Sequence, residues 1–527
     1  MHKTRLLKGT KLMTGISLIG IFLEIVYRIA LQNMVGADGM ALLQPSHAIY
    51  ILVWFIGVIG LPMPISHMVA SRMAKGDRKG AQSVFLICII AVGTIGLVVC
   101  ALIWGLSGTI AQHMGLRDAA LLLQWAAPCI LLYGIIGAFR GYFQGVSLTI
   151  LSNASMLLDQ FVRVLLAILL VGIWRNKEMV DMLSGAVIGM NAGGVAAVLL
   201  LGTLYLMGVD QMQNIASPST QTQIKSKGKI VIRILKQSCM TVVGTGFFLF
   251  CVLVDTYFAM DMLAPKKDVH LALTKYGFYN GIVMPMILIG SILATAFFFS
   301  TALRLNRVPS KQYGQMVRTA TDSLLKKMFL FGSIWMVLLW VLPEGMMHLF
   351  YSAGAGENEW AVLIGIIRIL SLAAFFAPVA QAALLMMQQA GYEIVTVIIT
   401  AFVCLLKILV LRVVTPLVGE AVIGIAFSTT VAFAALGILS MAYLLQAIKT
   451  ELYAPKMLPK IILGAGVSGI VVYLANRFVL MNRMGVTVGT VIALLLGIVV
   501  YVFLMISMKV IRMQDFLPTK EKPTTEA

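Results

Sequence analysis

Charge is what this sequence has least of. Only 12% of its 527 residues are Asp, Glu, Lys or Arg, about half the share found in a soluble domain. Apolar residues make up 60%, and the mean hydropathy is +0.96. A water-soluble globule is excluded and an integral membrane protein is indicated. Its apolar runs extend for roughly 18–28 residues, the length of bilayer-crossing helices; barrel strands would be about ten residues long and alternating. Helices and closed barrels alone satisfy backbone groups in lipid, so the expected fold class is an all-α integral membrane protein.

Catalytic signatures are also missing. No G-x-x-x-x-G-K-[ST], G-x-S-x-G, H-E-x-x-H or dinucleotide fingerprint occurs, so nucleotide hydrolysis, serine hydrolysis and zinc proteolysis have no foothold. The chain is expected to be no enzyme and to use no cofactor. Its six histidines are scattered singly. Cys88, Cys100, Cys129, Cys239, Cys251 and Cys404 all lie in apolar runs and none forms C-x-x-C, which suits buried packing and not a disulfide frame or metal site. The net charge of +19 is spread over short loops. Nucleic-acid binding needs a basic patch or stripe, so no nucleic-acid partner is expected.

What is present is a succession of about fourteen spans, near 11–35, 43–71, 81–106, 119–142, 149–173, 182–207, 233–258, 277–303, 327–351, 359–386, 392–414, 420–446, 460–478 and 486–511. The start, MHKTRLLKGTKLMTGISLIG, has the basic end and apolar run of a signal peptide but no small-x-small cleavage site. It reads as a retained first span. With the N-terminus inside, inward segments hold roughly 27 of the 40 Lys and Arg and outward loops roughly 8, as the positive-inside rule requires. Both termini are therefore expected in the cytoplasm.

The polar stretch GVDQMQNIASPSTQTQIKSKGK reads as a linker. It divides the chain into an N-terminal lobe (1–207), a cytoplasmic linker (208–232), a C-terminal lobe (233–446), two extra helices (447–511) and a cytoplasmic tail (512–527). A shift of roughly 245 residues sets FRGYFQG (139–145) beside MMQQAG (386–391), and Arg163 beside Lys407. Two parallel six-span halves are a recurring transporter plan.

Within so apolar a chain the intramembrane charges carry the information, since each costs about 2.5–3.5 kcal/mol at the bilayer centre on insertion scales. They are Glu24 and Arg28 in span one, His67 in span two, Asp159 and Arg163 in span five, Asp255 in span seven, Arg368 in span ten, and Lys407 and Arg412 in span eleven. Glu24–Arg28 and Asp159–Arg163 are both acid-then-base at i and i+4, where side chains share a helix face and can pair. Each pair serves either as a structural lock or as the wall of a polar cavity. Asp255 is a candidate for a coupling cation, for pairing with another helix, or for the outer interface. Arg412 lies near a span end and is expected to snorkel. Gly185, Gly189 and Gly193 form overlapping G-x-x-x-G units, which permit close helix approach.

The blocks GTKLMTGISLIGIFLEIVYRIALQNMVGADGMALLQ, GLPMPISHMVASRMAKGD and FRGYFQGVSLTILSNASMLLDQFVRV resemble the polysaccharide-exporter and lipid II flippase branch of the MATE-like (MOP) superfamily. Within it the resemblance is to the stage V sporulation protein B and Gram-positive MurJ-like group. The resemblance covers roughly residues 8–175 well. It implies two pseudo-symmetric six-helix lobes around a central cavity, two C-terminal helices, and alternating access. The implied substrate is an undecaprenyl-pyrophosphate-linked saccharide, with cell-wall synthesis machinery as a possible partner. It also implies that Arg28 and Arg163 meet the pyrophosphate, with Gln144 and Gln160 as further polar contacts. Two positions depart from the pattern. His67 stands where the family usually has Lys or Arg, and MPMILIGSILATAFFFSTAL lacks a second P-x-I-S stretch. A cation-coupled multidrug antiporter would favour net acid in the deep spans, and a polyprenyl-acting enzyme would need acidic metal-binding pairs such as D-D-x-x-D. A scaffold has no use for buried charge.

Overall fold

The computed structural model describes residues 2–213, 227–263, 269–305, 310–350, 357–418, 420–448, 452–480 and 485–511. Regular structure among the described residues is entirely helical. In chain order the α-helices are α1 (His2–Phe55), α2 (Pro62–Met73), α3 (Arg78–His113), α4 (Ala120–Ala126), α5 (Pro128–Gly145), α6 (Thr149–Ile173) and α7 (Met179–Gln213). After the central stretch come α8 (Lys227–Thr245), α9 (Phe247–Leu263), α10 (Val269–Gly277), α11 (Met284–Leu305), α12 (Ser310–Val341) and α13 (Pro343–Phe350). The remainder are α14 (Glu357–Gln389), α15 (Glu393–Val414), α16 (Ala421–Ile448), α17 (Tyr453–Ala475) and α18 (Val486–Ser507).

Among the described residues 12 helices are long and apolar enough to cross a membrane, or 13 if Lys227–Thr245 and Phe247–Phe258, bent by 74°, form one broken span. Fourteen is reached only by also dividing the longest stretch, Phe22–Met73. Its 52 residues would measure about 78 Å as a straight helix, over twice the hydrocarbon thickness. Gly36 interrupts it with φ 69° and ψ −174°, a conformation that a side chain would strain.

Prolines shape two further spans. Pro lacks an amide hydrogen and clashes with the carbonyl four residues earlier. Ahead of Pro62 the chain widens into a π-helical turn, Ile56–Gly60, where the Leu61 amide donates to the Ile56 carbonyl at 2.8 Å. Ahead of Pro285 it does so again at Phe278–Val283. Such turns cluster at functional sites, and here both border the same cavity.

The first seven helices pack mainly on one another, as do α8 to α16, and α17 and α18 lie against α12 and α13. The two groups meet where α1 packs on α9, α10, α11 and the Phe278–Val283 turn, and where α2, α3 and the Ile56–Gly60 turn pack on α8. Large apolar side chains such as Ile90, Leu97, Leu405, Leu409 and Phe503 are exposed, as a lipid-facing surface requires. The same outward orientation explains the cysteines. Cys88, Cys129 and Cys251 are buried as expected, Cys100 and Cys404 are half-buried, and Cys239 is exposed.

The expected linker is helical at both ends, since α7 runs on to Gln213 and α8 begins at Lys227. Residues 214–226 and the tail at 512–527 lie outside the described residues. The glycine stripe of α7 packs on α6. A Cβ on Gly189 would stand 2.7 Å from the Ala167 amide nitrogen, and one on Gly193 would stand 2.5 Å from the Asp159 carbonyl oxygen.

Candidate functional site

A large cavity lies between the two helix groups and holds about 1600 Å³ of space, including the open solvent at its mouth. Its walls differ in chemistry. The wall built from α1 and α6 carries Glu24, Arg28, Gln32, Gln44, His47, Tyr50, Gln160 and Arg163. The facing wall, from α9, α11 and the Phe278–Val283 turn, is mostly apolar: Phe248, Val252, Met284, Met286, Leu288 and Ile289, relieved by Asn280, Ser291 and Thr295.

Charge on the polar wall is organised around Glu24. Its carboxylate accepts from Arg28 Nε at 3.3 Å and from Arg163 Nη2 at 2.5 Å. The first contact is the local i, i+4 pair, while the second joins α1 to α6. Arg163 is 1% exposed, with its guanidinium over the rings of Tyr27 and Tyr50 at 4.7 and 5.2 Å. Such cation–π contacts hold a cation in place. Glu24, at 27% exposure, is the more open partner. Arg28 also contacts His47 Nε2. Arg carries no acceptor, so His47 Nε2 accepts and its proton lies on Nδ1. Among the described residues His47 Nδ1, Gln32 Nε2 and Trp54 Nε1 are buried without a hydrogen-bond partner. All are donors bordering the cavity.

Asp159 and Arg163 do not pair with each other. Spacing of four residues permits a pair but does not impose one, and each side chain has a better-placed partner on another helix. Arg163 goes to Glu24, and Asp159 accepts from Tyr133 Oη at 2.6 Å with Arg140 Nη2 at 3.7 Å. Arg140 also donates from Nε to Ser155 Oγ at 3.1 Å. This cluster stands behind the cavity wall. Its counterpart in the other helix group is Asp255, 2.8 Å from Lys407 Nζ. Tyr279 donates to Asp255 at 3.0 Å, and Lys407 donates to Thr429 Oγ1 at 2.6 Å.

Glu24, Arg28, Gln160 and Arg163 therefore line the cavity, whereas Asp159, Asp255 and Lys407 are buried in ion pairs behind it. Gln144 donates to Ser152 Oγ at 3.2 Å within the helix group, away from the cavity lining. His67 and Arg368 are exposed on α2 and α14 and do not line it. Sequence reading missed His47, Tyr50, Gln32 and Arg140. Arg140 sits in the same FRGYFQG block as Gln144, seven residues after Tyr133 on one helix face, a signal that the sequence carries.

A cavity between two helical groups, bordered by broken spans, is an arrangement that membrane transporters use. Solved structures share the fold. Lipid II flippase MurJ in an inward closed conformation matches with a TM-score of 0.66 and 16% identity, over 95% of this chain and 100% of that one. An inward-facing multidrug resistance MATE family transporter of the MOP superfamily matches too (TM-score 0.62, 15% identity, 82% and 98%). Stage V sporulation protein B of Bacillus subtilis (strain 168) is 25% identical over 413 residues, covering 76% of this chain and 77% of that protein. The chain thus shares its fold with a lipid II flippase and with a MATE transporter of the MOP superfamily. It belongs to the family described as polysaccharide biosynthesis protein, whose model matches residues 6–302.

Proposed function

We propose that this protein carries an undecaprenyl-pyrophosphate-linked saccharide from the inner to the outer leaflet of a bacterial plasma membrane by alternating access between its two six-helix lobes. The observation that carries the reading is the polar wall of the cavity, where Arg28 and Arg163 converge on one carboxylate among unsatisfied donors. Arginine forks match phosphate oxygens in geometry and charge. The facing apolar wall suits a lipid-linked molecule. Saccharide hydroxyls would meet Gln44, Gln160 and Asn280.

Lipid II and related precursors of peptidoglycan, teichoic acid, capsule or exopolysaccharide fit this chemistry alike. A multidrug cation antiporter fits less well, because the lining holds two arginines and a single carboxylate. With no nucleotide motif in the sequence, the driving force is a membrane potential or ion gradient. Both termini are assigned to the cytoplasm, as the distribution of basic loops favours.

The test is reconstitution in liposomes with fluorescent lipid II and other undecaprenyl-pyrophosphate-linked saccharides. Outward movement of at least one of them is expected. Failure to move any, in protein shown to be folded, would overturn the assignment.

A further inference from the structure

Glu24 poses a problem for any anion-binding cavity. It sits where the ligand's charge should go and takes up both arginines, one through each oxygen. We infer that Glu24 is a resident competitor that sets a charge threshold, admitting diphosphate head groups to the cavity and rejecting the singly charged phosphodiesters of ordinary phospholipids. The inference rests on the proposed function and names what discriminates within the same site.

The reasoning begins with which group moves. Arg163 is 1% exposed and held between two tyrosine rings, so it stays. Arg28 is engaged on its far side by His47. Glu24 is the most exposed of the three charged groups, at 27% against 12% for Arg28. An incoming anion therefore displaces the carboxylate from both guanidinium groups.

The exchange can then be counted in charges. Arg28, Arg163 and Glu24 sum to +1. A phosphodiester carries one negative charge, so it replaces one monoanion with another and gains little attraction. A diphosphate esterified at one end to the lipid and at the other to the saccharide brings two charges, one for each arginine. It also brings oxygens for the buried donors that lack partners among the described residues, His47 Nδ1 and Gln32 Nε2. Specificity of this kind arises from an element placed against the wrong ligand as well as contacts to the right one. The rejection matters because a cavity open to a bilayer faces phospholipid in great excess over any lipid-linked saccharide.

The test uses the full-length protein in detergent. Affinities are measured for a short-chain prenyl-diphosphate saccharide and for short-chain phosphatidylglycerol, in wild type, Glu24→Gln and Glu24→Asp. Wild type is expected to prefer the diphosphate strongly. In Glu24→Gln phosphatidylglycerol binding should rise at least tenfold, while Glu24→Asp keeps it weak. An unchanged phosphatidylglycerol affinity in folded Glu24→Gln overturns the inference. Should that variant fail to fold, wild type decides: equal thermal stabilisation by equal concentrations of inorganic pyrophosphate and dimethyl phosphate overturns it, and stabilisation by pyrophosphate alone supports it. Failure of wild type to bind the diphosphate lipid at all would instead defeat the proposed function.

Discussion

Lys407 Nζ stands 2.8 Å from Asp255 Oδ1, and neither side chain is more than 1% exposed. The pair joins α15 to α9 deep in the second helix group. Sequence alone makes Asp255 a candidate for ion coupling, but here its charge is met by a lysine, so binding a cation would require the pair to separate. Removing one member of a buried pair typically costs about 3–5 kcal/mol, because the other charge is left uncompensated, whereas an apolar replacement of both can be neutral. Asp255→Leu and Lys407→Met should each lower the thermal unfolding midpoint in detergent markedly. The double variant should recover most of the loss. Additive losses would mean that the two charges do not compensate one another.

Gly193 is the point where α7 presses on the backbone of Asp159 and beside the Cβ of Arg163. A larger residue has no room and must push α6 toward the cavity. Overpacking of this kind costs about 1–3 kcal/mol. Gly193→Leu should lower both the unfolding midpoint and the affinity for diphosphate lipid, since Arg163 moves with α6. Gly202, further along the same helix, is a control, because a Cβ added there would meet nothing within 4 Å. Gly202→Ala should leave both measurements unchanged.

Much of this site could be read from sequence, and the misses have two causes. Spacing identified the local Glu24–Arg28 pair, and the prolines marked the spans that break. The orientation of each helix about its own axis could not be read, because lipid is as apolar as the protein core. His67 and Arg368 are cavity candidates by sequence, yet both are exposed and neither lines this cavity. His47 escapes notice for a different reason. QPSH (44–47) falls at the start of the expected second span, 43–71, but the helix resumes directly after Gly36 and carries Pro45 within it. His47 thus lies about 16 Å beyond the break, at 1.5 Å per residue.

Contacts beside Gly36 tie the two helix groups together, since α1 packs on α10 there. Thr274 Oγ1 donates to Asp38 Oδ1 at 2.5 Å, joining α10 to α1. A hydrogen bond to a charged group contributes about 1.5–3 kcal/mol. Thr274→Val should shift the protein toward the opened arrangement by about 10- to 100-fold on that scale. The measurement is the labelling rate of Gln32→Cys, a buried cavity position, by a polar maleimide. Faster labelling in the Thr274→Val background is expected, and an equal rate would show that this bond does not govern closure.

The two cavity arginines should respond differently to replacement by lysine. Arg163 is clasped by two aromatic faces and makes the shorter contact with Glu24. Lysine keeps the charge but loses the planar fork and the stacking surface. Arg28 is the more open of the two, at 12% exposure against 1%, and its contacts are with Glu24 and His47. Loss of one charge-assisted hydrogen bond corresponds to about 10- to 100-fold in affinity. Arg163→Lys should weaken binding of diphosphate lipid by that order, and Arg28→Lys by less. Arg28→Ala and Arg163→Ala should both abolish transport in liposomes while the protein remains folded. If Arg163→Lys binds and transports as wild type does, the position needs only a charge, and the stacked guanidinium is not what recognises the phosphates.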